Sequence, residues 1–87
     1  MKAYERVLEM RGMPRIDIIN YIISIGGKSS SEGKFIGDCW EVEIGEEEVI
    51  TLGSIKIPSR KVTFRSDEDI VRQMISAFRL RFLSAGG

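Results

Sequence analysis

The sequence predicts an α+β domain, an antiparallel sheet with two helices packed on one of its faces, in the order β-α-β4-α. Three patterns carry that prediction. Residues 16–25 and 70–82 place apolar side chains at spacings of three and four, the period of an amphipathic helix. Between them, from Lys28 to Arg65, the period drops to two, as in strands with one buried face. Short glycine-containing turns separate the alternating runs and suit hairpins rather than crossovers.

In chain order, Tyr4, Arg6, Leu8 and Met10 alternate with Glu5, Val7 and Glu9, which reads as a first strand. Gly12-Met13-Pro14 breaks it, and Pro14 stands where a helix starts, its fixed φ suiting the first turn. Ile16, Ile19, Ile22 and Ile23 form the expected apolar stripe, with Ile18 and Ile25 offset from it and Asp17, Asn20 and Ser24 opposite. Gly26-Gly27 closes the helix.

Ser29-Ser30-Ser31-Glu32-Gly33 reads as a turn, Phe35-Ile36 as a short strand, and Trp40, Val42 and Ile44 as the buried side of the next. After a turn at Gly45-Glu46, residues 49–57 read as one strand region bulged at Gly53. Pro58-Ser59 is expected to turn the chain, with Val62 and Phe64 alternating beyond it. Ser66 followed by Asp67, Glu68 and Asp69 signals the second helix: a capping hydroxyl, then acids at the positive end of the dipole. Ile70, Val71, Met74, Ile75, Phe78 and Phe82 are its apolar face.

A chain of 87 residues makes one domain around one core, so residues 1–87 are expected to form a single unit with a flexible C-terminal tail, 84–87. Without histidine there is no common general base, no common metal ligand and no Ser-His-Asp arrangement. Its one cysteine, Cys39, excludes an internal disulfide and a cysteine-based zinc site, and beside Trp40 it reads as a small apolar residue. No enzyme is read from these residues, and no pattern calls for a cofactor or a metal. The first residues lack a signal-peptide core and no apolar run approaches the ~20 residues that a membrane helix needs, so the expected location is the cytoplasm, with no membrane partner. Thirteen isoleucines, 30% charged residues, one Asn and one Gln match the composition of proteins from thermophiles.

Thirteen basic and 13 acidic residues cancel, but not locally. Residues 1–31 carry a net +2 (five basic, three acidic), 32–50 a net −6 (one and seven), and 51–87 a net +4 (seven and three). The acidic stretch, with Asp38, Glu41, Glu43 and Glu46-Glu47-Glu48, lacks the loop spacing of a calcium site and reads as a solvated face or as a partner for the basic strands. Gly27-Lys28-Ser29 is not a phosphate loop, because a helix precedes it and a strand follows. Arg72, Arg79 and Arg81 are the candidate docking surface, one that suits an acidic protein. Without exposed aromatics or a known module, they do not make a nucleic-acid footprint.

The last candidate is the ending Ser84-Ala85-Gly86-Gly87. By composition alone a terminal glycine pair arises about once in 200 sequences. Gly86 and Gly87 are the candidate activated tail, since residues without Cβ can lie extended in a narrow channel. The ending resembles that of ubiquitin-like proteins and sulfur carriers, whose terminal carboxylate is adenylated and then converted to a thiocarboxylate or joined to a lysine. From Tyr4 to Gly87 the chain also resembles the uncharacterised C-terminal domain of MoaD-related proteins. The matching residues are Glu5-Arg6, Gly26-Gly27, Gly53-Ser54-Ile55-Lys56-Ile57-Pro58, Ala77-Phe78 and Gly86-Gly87.

That resemblance implies a TATA-box-binding-protein-like fold, without implying DNA binding. It also implies a non-enzymatic accessory or carrier role in sulfur transfer or molybdopterin-type cofactor synthesis. The implied partner is an adenylating or sulfur-transfer enzyme, or a ubiquitin-like carrier protein. The other reading of these residues is a small-ligand or protein-binding module that uses the uncovered sheet face and has no tail chemistry. An uncovered face or edge also favours a homodimer.

Overall fold

The computed structural model describes residues 3–83, with side chains through Phe82. Its elements run β1 (Tyr4–Arg11), α1 (Arg15–Ser24), β2 (Lys28–Ser31), β3 (Lys34–Ile36), β4 (Glu41–Ile44), β5 (Glu48–Leu52), β6 (Ile55–Ser66) and α2 (Glu68–Leu83). The class is the expected α+β, with an antiparallel six-stranded sheet in the order β1-β6-β4-β3-β2 and β5 pairing with β6. Five strands, rather than about four, lie between the helices.

Both helices cover one face. Met10, Phe35, Val42, Ile44, Val62 and Phe64 rise from the sheet to meet Ile18 and Ile22 of α1 and Val71, Ile75 and Phe78 of α2 in one buried cluster. Each such side chain contributes about 1.5–3 kcal/mol on leaving water. Aromatic rings tie the layers together. Phe78 meets Phe64 below it at 5.3 Å and Tyr21 of α1 at 5.6 Å, both edge-on, and Phe82 adds a second edge contact to Tyr21 at 5.5 Å.

The stripe of α1 is rotated from its expected position. Ile18 and Ile22 are fully buried with Ile19 beside them, whereas Ile16, Ile23 and Ile25 are exposed. With isoleucine at six of the ten positions from 16 to 25, spacing alone fits more than one face, and packing into the buried cluster selects one. The end of α1 is as the sequence implies. Gly26 takes φ +103° and donates to the Ile23 carbonyl, while Gly27 donates to that of Ile22, the paired bonds of a Schellman cap.

Four readings of the strand region are corrected. Ser29–Ser31 belong to β2, and the turn is confined to Glu32-Gly33. Gly53 is not a bulge: with φ +63° it is the first central residue of a two-residue hairpin turn joining Leu52 to Ile55, the type in which glycine leads. One bulge lies instead at Gly45–Glu47, three residues facing the two between Ser59 and Val62, so that β4 and β5 act as one kinked strand along β6, and the β2–β3 register shifts between Ser29 and Ser31. Pro58 does not turn the chain. It sits inside β6 just past the end of β1, where its carbonyl accepts from the Gly12 N–H at 2.9 Å and no partner strand needs the N–H it lacks.

Ser66 does not cap α2. It closes β6, and its hydroxyl donates to the Cys39 carbonyl at 2.5 Å, while the Asp67 carbonyl accepts the first helical bond from Val71. Glu68 and Asp69 do occupy the first turn. Cys39 is exposed, not buried as an apolar residue. The indole beside it is half-buried against the core. A Cβ on Gly37 would fall inside the Trp40 ring, and one on Gly27 would meet Ile22 at 2.7 Å and the same indole at 3.0 Å.

Candidate functional site

The helical screw of α2 separates the three arginines. Val71, Ile75 and Phe78 face the core; Arg72 and Arg79, seven residues apart, share one flank, and Arg81 stands on the other. Arg72 is engaged by Glu68 one turn earlier, at 2.5 Å, an exposed pair worth a few tenths of a kcal/mol. Arg79 is exposed on the same flank. Arg81 lies 5.4 Å from the centre of the Phe82 ring and lines a groove of about 340 Å³ with Asp17, Asn20, Tyr21 and Ser24 of α1. Burial raises the pKa of the Tyr21 hydroxyl above that of a free tyrosine, and the Arg81 charge opposes the rise. The structure therefore gathers Arg72 with Arg79 and sets Arg81 apart on the opposite flank of α2. Gly86 and Gly87 lie outside the described residues.

The uncovered sheet face is organised by Arg65. Arg65 donates from Nη1 to Glu41 at 2.8 Å and to Glu43 at 3.1 Å, and from Nε to Glu5 at 3.2 Å. The bond it donates to Glu43, then that to Glu5, raises the pKa of its guanidinium further. Alternation was the available signal: Arg65 follows Phe64 and so faces away from the core, opposite the strand that carries Glu41 and Glu43. Part of the acidic stretch is thus the partner of the basic strand, and Glu47 similarly meets Arg60 at 3.5 Å.

Arg60 points the other way, 9% exposed, and its Nη1 donates to the Gly45 carbonyl at 2.7 Å across the bulge. Its Nε is buried without a partner among the described residues. The neighbouring cavity of about 460 Å³ is lined by Arg15, Arg60, Glu32, Glu43 and Glu46, a mixed rather than single-sign surface. A third hollow of about 360 Å³ lies beside Cys39, Trp40 and Arg65. Among the described residues, no three His, Cys, Asp or Glu side chains are placed to hold a metal ion, and no helix is long and apolar enough to cross a membrane.

The described surface presents cations on two flanks of the last turns of α2 and a charged sheet face. No curated protein matches the chain. A family model described as archaeal MoaD-like protein matches residues 6–87, a span that takes in the sheet, both helices and the terminal glycines. The chain belongs to the archaeal MoaD-like protein family.

Proposed function

We propose that this protein is a non-enzymatic sulfur carrier or accessory protein of molybdopterin-type cofactor synthesis, acting in the cytoplasm, with Gly86 and Gly87 as its activated tail. The observation that carries the reading is the family match, which runs through Gly87. In this chemistry the Gly87 carboxylate attacks the α-phosphorus of ATP and pyrophosphate leaves. A sulfide equivalent from a donor then displaces AMP from the acyl-adenylate and leaves a thiocarboxylate. The chain's own part is to be recognised and to present the carboxylate. Arg79 and Arg81, on either flank of the last turns of α2, supply the docking charges, with Arg72 one turn pair further back on the Arg79 side. The partner that fits is an adenylating or sulfur-transfer enzyme with an acidic surface around its channel.

A small-ligand module on the open sheet face has less support, because Arg65 and its three carboxylates already satisfy one another on that face. The test is an intact mass of the protein expressed in its native host, with the terminal peptide sequenced, beside a variant lacking Gly87. Exchange of one oxygen for sulfur at Gly87, or a conjugate there, is expected, and loss of both in the shortened but folded variant. Adenylation that survives the deletion would sink the reading.

A further inference from the structure

Residues 48–58 form a two-stranded arm that extends past the rest of the sheet, since β1 ends opposite Ser59 and β4 opposite Val62. The molecule is correspondingly long, 45 × 28 × 25 Å. Isolated two-stranded ribbons are marginal in water, and this one carries Ile50, Leu52, Ile55 and Ile57 on a single face, with Leu52 48% and Ile55 62% exposed.

The two edges of the arm are built differently. The Gly53-Ser54 turn makes Leu52 and Ile55 a hydrogen-bonded pair, so Ile50 with Ile57 and Glu48 with Ser59 also bond within the arm. The alternating residues therefore turn their N–H and C=O groups outward: Lys56 and Pro58 on the β6 edge, Val49 and Thr51 on the β5 edge. Two observed bonds fix this phase, since the Pro58 carbonyl is met from the β1 side by Gly12 and the Lys61 carbonyl from the β4 side by Gly45. On the β6 edge a lysine and a proline guard against pairing, the devices by which native sheets protect an edge. On the β5 edge Val49, Ile50, Thr51 and Leu52 carry no charge, no proline and no strand partner among the described residues.

We propose that this edge pairs with the same edge of a second copy, β5 antiparallel to β5 about a two-fold axis at Ile50. In that register Val49 of one copy faces Thr51 of the other, the two exchanging N–H···O=C bonds. Ile50 meets its own counterpart as a close, non-hydrogen-bonded pair. Glu48 falls opposite Leu52 rather than opposite the second Glu48, so no like charges meet. A strand from another protein would not bring this self-matching with it. The guarded β6 edges end the assembly at two copies, a closed isologous dimer instead of a fibre. An arm-to-arm contact is smaller than the ~1,200 Å² of a stable interface, so the dimer is weak and concentration-dependent.

The test is sedimentation equilibrium under reducing conditions, which keep Cys39 from linking copies, from low to high micromolar protein. A reversible monomer–dimer equilibrium is expected. Thr51→Pro removes only outward N–H groups and should weaken it about tenfold or more, since two hydrogen bonds vanish by symmetry. The fold is checked by circular dichroism and Trp40 fluorescence. On the unaltered protein, exchange of the Val49 and Thr51 amides should slow as concentration rises while that of Lys56 does not. A monomer throughout, a dimer untouched by Thr51→Pro, or amide exchange independent of concentration overturns the proposal.

Discussion

At the residue scale, the groups whose chemistry the fold changes are few, and Tyr21 is the clearest. Its ring packs edge-on against both Phe78 and Phe82, and burial disfavours the phenolate more than Arg81 favours it. The folded pKa therefore exceeds the unfolded one, near 10. Below that value both states hold the proton and the ring's contribution to stability is complete. As pH climbs past it the unfolded chain ionises first, which stabilises the unfolded state and draws the fold apart. Urea denaturation of the unaltered protein and of Tyr21→Phe should run in parallel near neutral pH. Above about pH 10 the unaltered protein should lose stability more steeply, because phenylalanine has no proton to lose. Equal slopes would mean that Tyr21 ionises as freely in the fold as outside it.

At the element scale, what could be read from the sequence depended on how many physical signals agreed. For α2, apolar spacing and first-turn acids coincide, and the helix lies where both put it, although the capping hydroxyl of Ser66 is spent on Cys39 instead. The arm shows the opposite case. A glycine inside an alternating run fits a bulge or a hairpin turn equally, and only the pairing decides: Leu52 opposite Ile55 makes Gly53 a turn, while Ile44 opposite the distant Val62 leaves the extra residue at Gly45–Glu47. Pro58 misleads for a similar reason. A proline is tolerated in a strand where no neighbour needs its N–H, and nothing local reveals that β1 stops just there. The three arginines were separable by counting residues along a helix, while the Arg65 cluster required the register between strands to be known.

Trp40 shows how one such long-range contact holds elements together. Its indole covers Gly37 at the β3–β4 turn and reaches Gly27 at the end of α1, so neither glycine can gain a methyl group without moving it. Gly37→Ala should displace the ring and cost about 1–3 kcal/mol, the usual range for overpacking. Trp40 is the only tryptophan, so its emission reports the displacement directly: a red shift in the folded variant, with a lower urea midpoint. An unchanged spectrum and midpoint would show that the turn yields more cheaply than the indole.

At the scale of the whole molecule, the fold turns a charge imbalance along the chain into pairing across the sheet. Segment 32–50 supplies Glu41 and Glu43, segment 1–31 supplies Glu5, and segment 51–87 supplies the Arg65 that binds all three. Isolated exposed pairs contribute little, but three carboxylates around one half-buried guanidinium form a network whose removal also leaves the carboxylates facing one another. Added salt weakens such attractions, because it shortens the range over which charges at a surface interact. In urea, which adds no ions of its own, the unfolding midpoint of the unaltered protein should fall as sodium chloride is raised through the physiological range. Arg65→Met keeps the stem and removes the charge, so it should lower stability by about 1 kcal/mol at low salt, within the range of a modest network. In that variant salt now screens repulsion among Glu5, Glu41 and Glu43, and the midpoint should rise with salt instead of falling. A reversal of sign distinguishes the network from a loss of packing, which would lower the midpoint equally at every salt concentration.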